Sequence, residues 1–264
     1  MKTNKANQIV SNALNSLISS VEEGQSQVLQ NYLKTMSHFH NYSFRNILLI
    51  SMQNHKATHV AGFHTWKKLG RYVKKGEKGI AIIAPLVYKK KNNEEKSDDD
   101  IRDIFFKVVY VFDIAQTDGA DLPKLTRAEG DPSRYSQKLN DLITGLKIKL
   151  KYTKRLGSDG LSTGGKILIR QGLTPAYDFS VRVHELAHEL LHKKSDLKLT
   201  KNQKESEAEA VAYVVCETIG LDTNCSASDY IQLYDGDKNI LIKSFQRIQS
   251  TSKLILEGIE YKFV

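Results

Sequence analysis

The chain has 264 residues, 40% hydrophobic and 26% charged, with a net charge of +9. That length supports two modest domains around a sizeable core, and that balance is globular rather than disordered. No apolar run approaches the ~20 residues of a membrane helix. The first residues lead into polar sequence without the apolar core of a signal peptide, and Cys216 and Cys225 alone argue against a disulfide framework. A cytoplasmic protein with no membrane partner is expected.

From the N-terminus, Ile9, Val10, Ala13, Leu14, Leu17 and Ile18 at helical spacing predict a helix over 7–23 that stops at Gly24. A second helix is predicted over 28–40, and a third over 43–53 with Ser43 as its cap. A short helix over 66–69 ends at Gly70, and Gly76 and Gly79, three apart, read as a tight turn. Two β-rich runs, 80–88 and 104–112, flank a charge block at 89–103 and predict a hairpin with a long solvated loop. Pro123, Gly130 and Pro132 mark a linker over 121–132. Beyond it come a helix over 133–143, a strand over 147–151, a Gly-rich stretch over 157–165 and a strand over 166–170. Two long helical patterns follow, then a mixed tail with a helix near 241–248. Cys216 falls on an apolar helical stripe and is expected to be buried. The fold class predicted is α+β, with domains over 1–120 and 133–264.

The charge is concentrated. Residues 56–91 hold ten basic side chains and one acid, Glu77, so this segment alone sums to +9 and the rest balances to zero. Such a patch is the footprint expected for a polyanion partner, or else a solvated lysine-rich surface. Sequence-independent binding of single-stranded DNA needs cations for the backbone and flat faces for the bases. Lys67, Lys68, Arg71, Lys74, Lys75 and Lys78 supply charge, Trp66 and Tyr72 supply interleaved aromatics, and Arg45 lies beside Phe44 in the third helix. Tyr72 is the stronger stacking candidate, because a lone Trp beside Phe63 is as readily a core residue.

His184-Glu185-Leu186-Ala187-His188 is an H-E-x-x-H on an apolar helical pattern. Residues four apart share a helix face, so both imidazoles reach one metal ion, and Glu185, one step round, is placed to take a proton from water activated there. A catalytic zinc site needs a third protein ligand and an open position. Glu205 and Glu209, also four apart on the following helix, both offer the carboxylate; Glu207, off that face, reads as a solvated charge.

Glu205-x-x-Ala208-Glu209-x-x-Ala212 resembles the ligand helix of gluzincin peptidases. That resemblance implies Glu205 as the third ligand, with Glu209 in the outer shell, fixing His184 or His188 through its other ring nitrogen. The run from His184 to His192 together with 205–213 resembles the zinc metallopeptidases of the ImmA/IrrE type, over about 133–222. The N-terminal half is similar to the single-stranded-DNA-binding domain of ArdC-type antirestriction proteins. The carrying stretches are Tyr42-Ser43-Phe44-Arg45-Asn46, residues 61–70, residues 73–79 and residues 111–119. The charged 89–103 block departs from that family.

These resemblances imply a small helix-plus-sheet DNA-binding domain followed by a minimal zincin. The implied function is a Zn2+ endopeptidase that hydrolyses DNA-associated proteins while holding single-stranded DNA, in mobile-element or antirestriction biology. Glu185 is the implied base. His192, two turns after His184, reads as outer-shell support, and Tyr177 and Tyr213 as candidate donors to the reacting oxygen. The strand over 166–170 is expected to be the edge that pairs with substrate, with 162–165 as its mobile lip. Alternatives are a non-enzymatic strand-coating protein with a structural or vestigial zinc site, and a regulator that cleaves one repressor.

Overall fold

A computed structural model describes residues 2–23, 25–88, 103–121, 132–193, 198–221 and 237–259. Three helices open the chain: α1 (Lys2–Glu22), α2 (Ser26–Phe39) and α3 (Phe44–Gln53). Ser43 caps α3, its side chain accepting from the Asn46 amide. Then follow β1 (Val60–Ala61), α4 (Phe63–Lys68), β2 (Arg71–Val73), β3 (Ile80–Tyr88), β4 (Asp103–Asp113) and β5 (Thr117–Gly119). The short helix starts three residues before the position predicted, straight after the extended Gly62.

β3 and β4 form the expected antiparallel hairpin, with Ile80 opposite Val111 and Tyr88 opposite Asp103. Residues 89–102 of the predicted loop lie outside the described residues. β1 pairs with the far side of β4, leaving β3 at an edge, while β2 and β5 form a separate ribbon. The free edge of β3 is closed by side-chain amides from α3. Asn46 donates to the Ile83 carbonyl and accepts from its amide, both at 2.9 Å, and Gln53 does the same to Ala81. An unpaired edge is thereby masked without a further strand. Side chains on the hairpin alternate: Ile80, Ile82 and Val111 are buried in the core, and Phe106 and Tyr110 lie on the other, more exposed side.

The second half contains α5 (Ser133–Gly145), β6 (Lys149–Thr153), β7 (Gly160–Ser162), β8 (Lys166–Arg170), α6 (Pro175–Leu191), α7 (Lys201–Thr218) and α8 (Lys238–Gly258). β8 lies in the middle of its sheet, parallel to β6 and antiparallel to β7. This corrects the expectation that 166–170 is the exposed edge. Ile167 and Ile169 are fully buried, and it is β7 that borders α6 at the edge. A two-faced apolar strand is a central strand; the more polar Gly160-Leu161-Ser162 takes the rim.

α7 is buried from Ser206 to Thr218 apart from Glu209 and Glu217, because α6, α8 and α2 all pack against it. Each fully buried Val or Leu contributes about 1.5–3 kcal/mol, so this packing dominates the core. The same core runs on into the first half: the Thr218 hydroxyl lies 2.6 Å from the Val214 carbonyl of its own helix and 2.9 Å from the Ser37 carbonyl, and Gln249 on α8 donates to the His40 and Tyr42 carbonyls at 2.8 and 3.1 Å. Cys216 is buried in it; Cys225 and residues 122–131 of the expected linker lie outside the described residues. Among the described residues, no helix is long and apolar enough to cross a membrane.

Asn46→Ala should leave both backbone groups of Ile83 without their partners and lower unfolding stability by about 1–3 kcal/mol. The exposed Gln53→Ala should cost less. Urea denaturation of the two variants checks the order.

Candidate metal centre

α6 starts at Pro175 after Thr174 and runs unbroken to Leu191, so His184 and His188 stand one turn apart on the same face. α7 is set by a capping box in which the Thr200 hydroxyl accepts from the Gln203 amide while the Gln203 side chain accepts from the Thr200 amide. Its first turns bring Glu205 over the two imidazoles. Glu205 Oε2 lies 3.4 Å from His184 Nε2 and 3.3 Å from His188 Nε2, and the two nitrogens are 3.1 Å apart. A tetrahedral ion bonded at ~2.0–2.1 Å separates neighbouring ligand atoms by ~3.3 Å. The three atoms therefore form a face that one metal ion fits, and they are a metal-capable cluster of the described residues.

Glu209, one turn further along α7, lies 3.2 Å from His184 Nδ1. Donation from Nδ1–H to that carboxylate leaves Nε2 for a metal. Burial works against a charged His184, but the Glu205 and Glu209 carboxylates outweigh it and hold the pKa at about 9. The contact from His184 in turn draws Glu205 down to about 2. His188, buried and beside the His184 cation, is shifted down.

Glu185 is buried under β7, and desolvation raises its pKa although the neighbouring His184 opposes this. Gly160 makes the room: a Cβ there would collide with Glu185 and with Val181. Sequence reasoning did not single out Gly160, nor Glu189. The Glu189 carboxylate, on the next turn of α6, accepts from the Ser162 hydroxyl at 2.7 Å and from the Gly164 and Gly165 amides at 2.8 and 2.6 Å. Both glycines are left-handed, with φ of 73° and 98°, and so aim successive N–H groups at one anion. These donors keep Glu189 charged despite burial. The 162–165 segment is thus clasped to the active helix, which corrects its expected mobility. An acid on the buried face of an apolar helix opposite a Gly-Gly pair is the signal that marks such a clasp.

His192 packs against His188 with ring centres 5.3 Å apart and the rings tilted, and its Nε2 lies 3.1 Å from the Lys204 carbonyl, so it backs the His188 ring rather than bonding to it. Burial, with His188 beside it, lowers its pKa to about 4. Glu207 departs from the sequence reading: it is fully buried, not solvated, with Arg247 of α8 at 3.4 Å and His192 at 3.7 Å. α8 packs over this face of α7. Tyr177 lines the cleft beside the cluster, its hydroxyl donating to Asp159 at 2.7 Å; Tyr213 is buried and does not line it. The cleft encloses about 1010 Å³ and is walled by β7, α6 and the start of α7.

The residues assigned to DNA divide. Lys67, Lys68, Tyr72, Lys75 and Lys78 are exposed, Tyr72 at 59%. Lys74 is exposed but also reaches the Ala115 carbonyl and, at 3.6 Å, Asp118. Arg45 is exposed with its guanidinium 6.0 Å from the Phe44 ring centre. Two assignments are corrected. Trp66 is 2% exposed and its indole N–H donates to the Phe112 carbonyl at 2.8 Å, which makes it core. Arg71 is 8% exposed, its guanidinium donating to the Thr117 hydroxyl and to the carbonyls of Thr117, Gly119 and Ala120. It ties β2 to β5, and its buried guanidinium spends four hydrogen bonds within the chain.

With this geometry in place, residues 7–112 match the family model of the N-terminal domain of anti-restriction factor ArdC. The chain is similar in fold to an antirestriction protein of known structure. The metal-free crystal structure of antirestriction ArdC protein from R388 plasmid superposes with a TM-score of 0.62 at 18% identity, covering 97% of this chain and 99% of that one. The Mn(II)-bound structure of the same protein gives 0.60 at 19% identity, covering 96% and 99%. An uncharacterized protein of Bacillus anthracis is 28% identical over 277 residues, covering 86% of this chain and 47% of that protein. The chain thus spans about half the length of that relative.

Metal binding must displace the proton held on His184. Apparent affinity for a divalent ion should therefore fall about tenfold per pH unit as pH drops below about 9. Titration of metal-free protein against a chromogenic chelator across the neutral range checks the slope. Glu205→Ala should abolish binding, and Glu209→Ala should weaken it about 10–100-fold.

Proposed function

We propose that the chain is a metal-dependent peptidase carrying a single-stranded-DNA-binding module, acting on proteins at or near DNA in antirestriction or mobile-element biology. The observation that carries the peptidase reading is the triangle of His184, His188 and Glu205 opening onto the same cleft as Glu185. The match of 7–112 to the ArdC N-terminal domain and the exposed lysines of 67–78 support the DNA reading. Residues 1–120 are assigned to DNA and 133–264, read as an ImmA/IrrE-type unit, to hydrolysis.

Two imidazoles and one carboxylate suit Zn2+ and also accommodate Mn2+, and the Mn(II)-bound ArdC structure supports a divalent ion. When bound, the ion supplies a Lewis-acid contact for a carbonyl oxygen and brings the pKa of water there toward ~7. The rest falls to the chain. Glu185, in a desolvated pocket that favours its protonated form, takes the proton from water and passes it to the leaving amine. Glu209 and His192 hold the imidazoles in place. β7, the rim of its sheet, offers backbone groups to an extended peptide, and the Glu189 clasp keeps that rim at a fixed height above α6.

Glu185→Gln should lower peptide hydrolysis about 10²–10⁴-fold with metal content and oligonucleotide binding unchanged. Gly160→Ala should also lower it, by displacing the Glu185 carboxylate, while the three ligands keep their metal. Both are read from cleavage of labelled proteins presented with and without single-stranded DNA. Equal activity in Glu185→Gln would rule the mechanism out. A metal-loaded wild type that binds DNA and cleaves nothing would turn the reading to a non-enzymatic strand-coating protein with a structural metal.

A further inference from the structure

β4 presents two large rings on the more exposed face of the hairpin. Phe106 and Tyr110, four residues apart and so on one side of the strand, keep 37% and 59% of their surface exposed. Their attachment points are about 13 Å apart along the strand. Both ends of this row are cationic. At one end Tyr110 lies against Gly79: a Cβ added to Gly79 would stand 2.9 Å from the Tyr110 Cβ and 3.2 Å from the Phe112 ring. Gly79 closes the turn that carries the exposed Lys74, Lys75 and Lys78. The missing side chain at Gly79 is what lets the turn approach Tyr110 and Phe112 this closely.

At the other end a cavity of about 590 Å³ opens between Phe106 and Pro85 on the hairpin and Tyr42, Phe44 and Arg45 at the start of α3. The cavity wall is rigid, because Asn46 spends both amide atoms on the backbone of Ile83. Among the described residues, its lining carries one cation, Arg45, and no carboxylate. Flat apolar faces with lysines at one end and an arginine at the other select a partner that is polyanionic and displays aromatic faces. A duplex hides those faces in its own stack; a single strand does not.

We propose that this face is a base-stacking track for single-stranded DNA. Tyr110 and Phe106 each take a different base, since about 13 Å spans several base steps even of a stacked strand. A further base enters the Tyr42–Phe106 cavity, with Arg45 and the turn lysines on the phosphates. The assignment rests on the DNA-binding reading of the first half and is independent of the peptidase reading.

The test is fluorescence anisotropy of a labelled oligothymidylate with the full chain, at several salt concentrations. Phe106→Ala and Tyr110→Ala should each weaken binding about 5- to 100-fold with the salt slope unchanged, and circular dichroism should show the fold retained. Arg45→Ala should lower the slope by about one. Phe106→Trp should restore binding, and its new fluorescence should be quenched by the oligonucleotide; a merely structural role for Phe106 would move neither signal. Alanine variants within about twofold of wild type, alongside lost binding in Lys67→Ala or Lys68→Ala, would overturn the track and leave DNA binding standing. A wild type that does not bind the oligonucleotide even at low salt would remove both.

Discussion

The packing of α7 between α6, α8 and α2 is the constraint on which the rest of the structure depends. A helix buried on three sides can neither rotate nor slide without opening the core. Its first turns therefore present Glu205 and Glu209 at a fixed height above the imidazoles of α6. The same burial explains the polar network beneath the cluster. Glu207 cannot reach water, so Arg247 comes from α8 to meet it, and His192 fills the space between that pair and His188. Burial raises the Glu207 pKa against the pull of its neighbours, a cost that leaving the carboxylate unpartnered would increase.

The centre holds opposed electrostatic demands within one cleft. Glu205 is drawn far down by the His184 contact, whereas Glu185, adjacent in sequence to His184, is pushed up by desolvation. Two carboxylates thus take different protonation behaviour from their surroundings alone, one suited to holding a cation and the other to carrying a proton. Glu189, a turn away, shows a third solution. Buried as deeply, it stays ionised because two backbone amides and a hydroxyl point at it.

Much of this was legible in the sequence because helices convert spacing into geometry. Four-residue spacing puts His184 above His188 and Glu205 above Glu209 whatever the tertiary context, so the candidate cluster could be written down from letters, with the choice of Glu205 over Glu209 resting on the gluzincin resemblance. The hairpin over 80–88 and 104–112 and the cap at Ser43 were legible for the same local reason. What failed was everything decided by distant partners. Glu207 reads as exposed only if its side of α7 is wet, and α8 covers it. Trp66 and Arg71 look like nucleic-acid ligands until the Phe112 carbonyl and the carbonyls around Thr117 claim their N–H groups. The order of the second sheet could not be read from a run of alternating residues, so the rim was assigned to β8 instead of β7. Phe106 and Tyr110 were passed over because a strand shows which residues share a face but not which face is covered.

The continuous core has a mechanical consequence. α2 packs on α7 within one core, and Gln249 reaches the carbonyls of His40 and Tyr42, so the two halves are riveted together rather than strung on a leash. On the proposed reading, a captured strand and the hydrolytic cleft keep a constant offset and bearing, like the jaws of a caliper. Selectivity would then follow from posture: a polypeptide is presented only when its own grip on the strand swings a loop to that offset, and equally good cleavage sequences held at other angles go uncut.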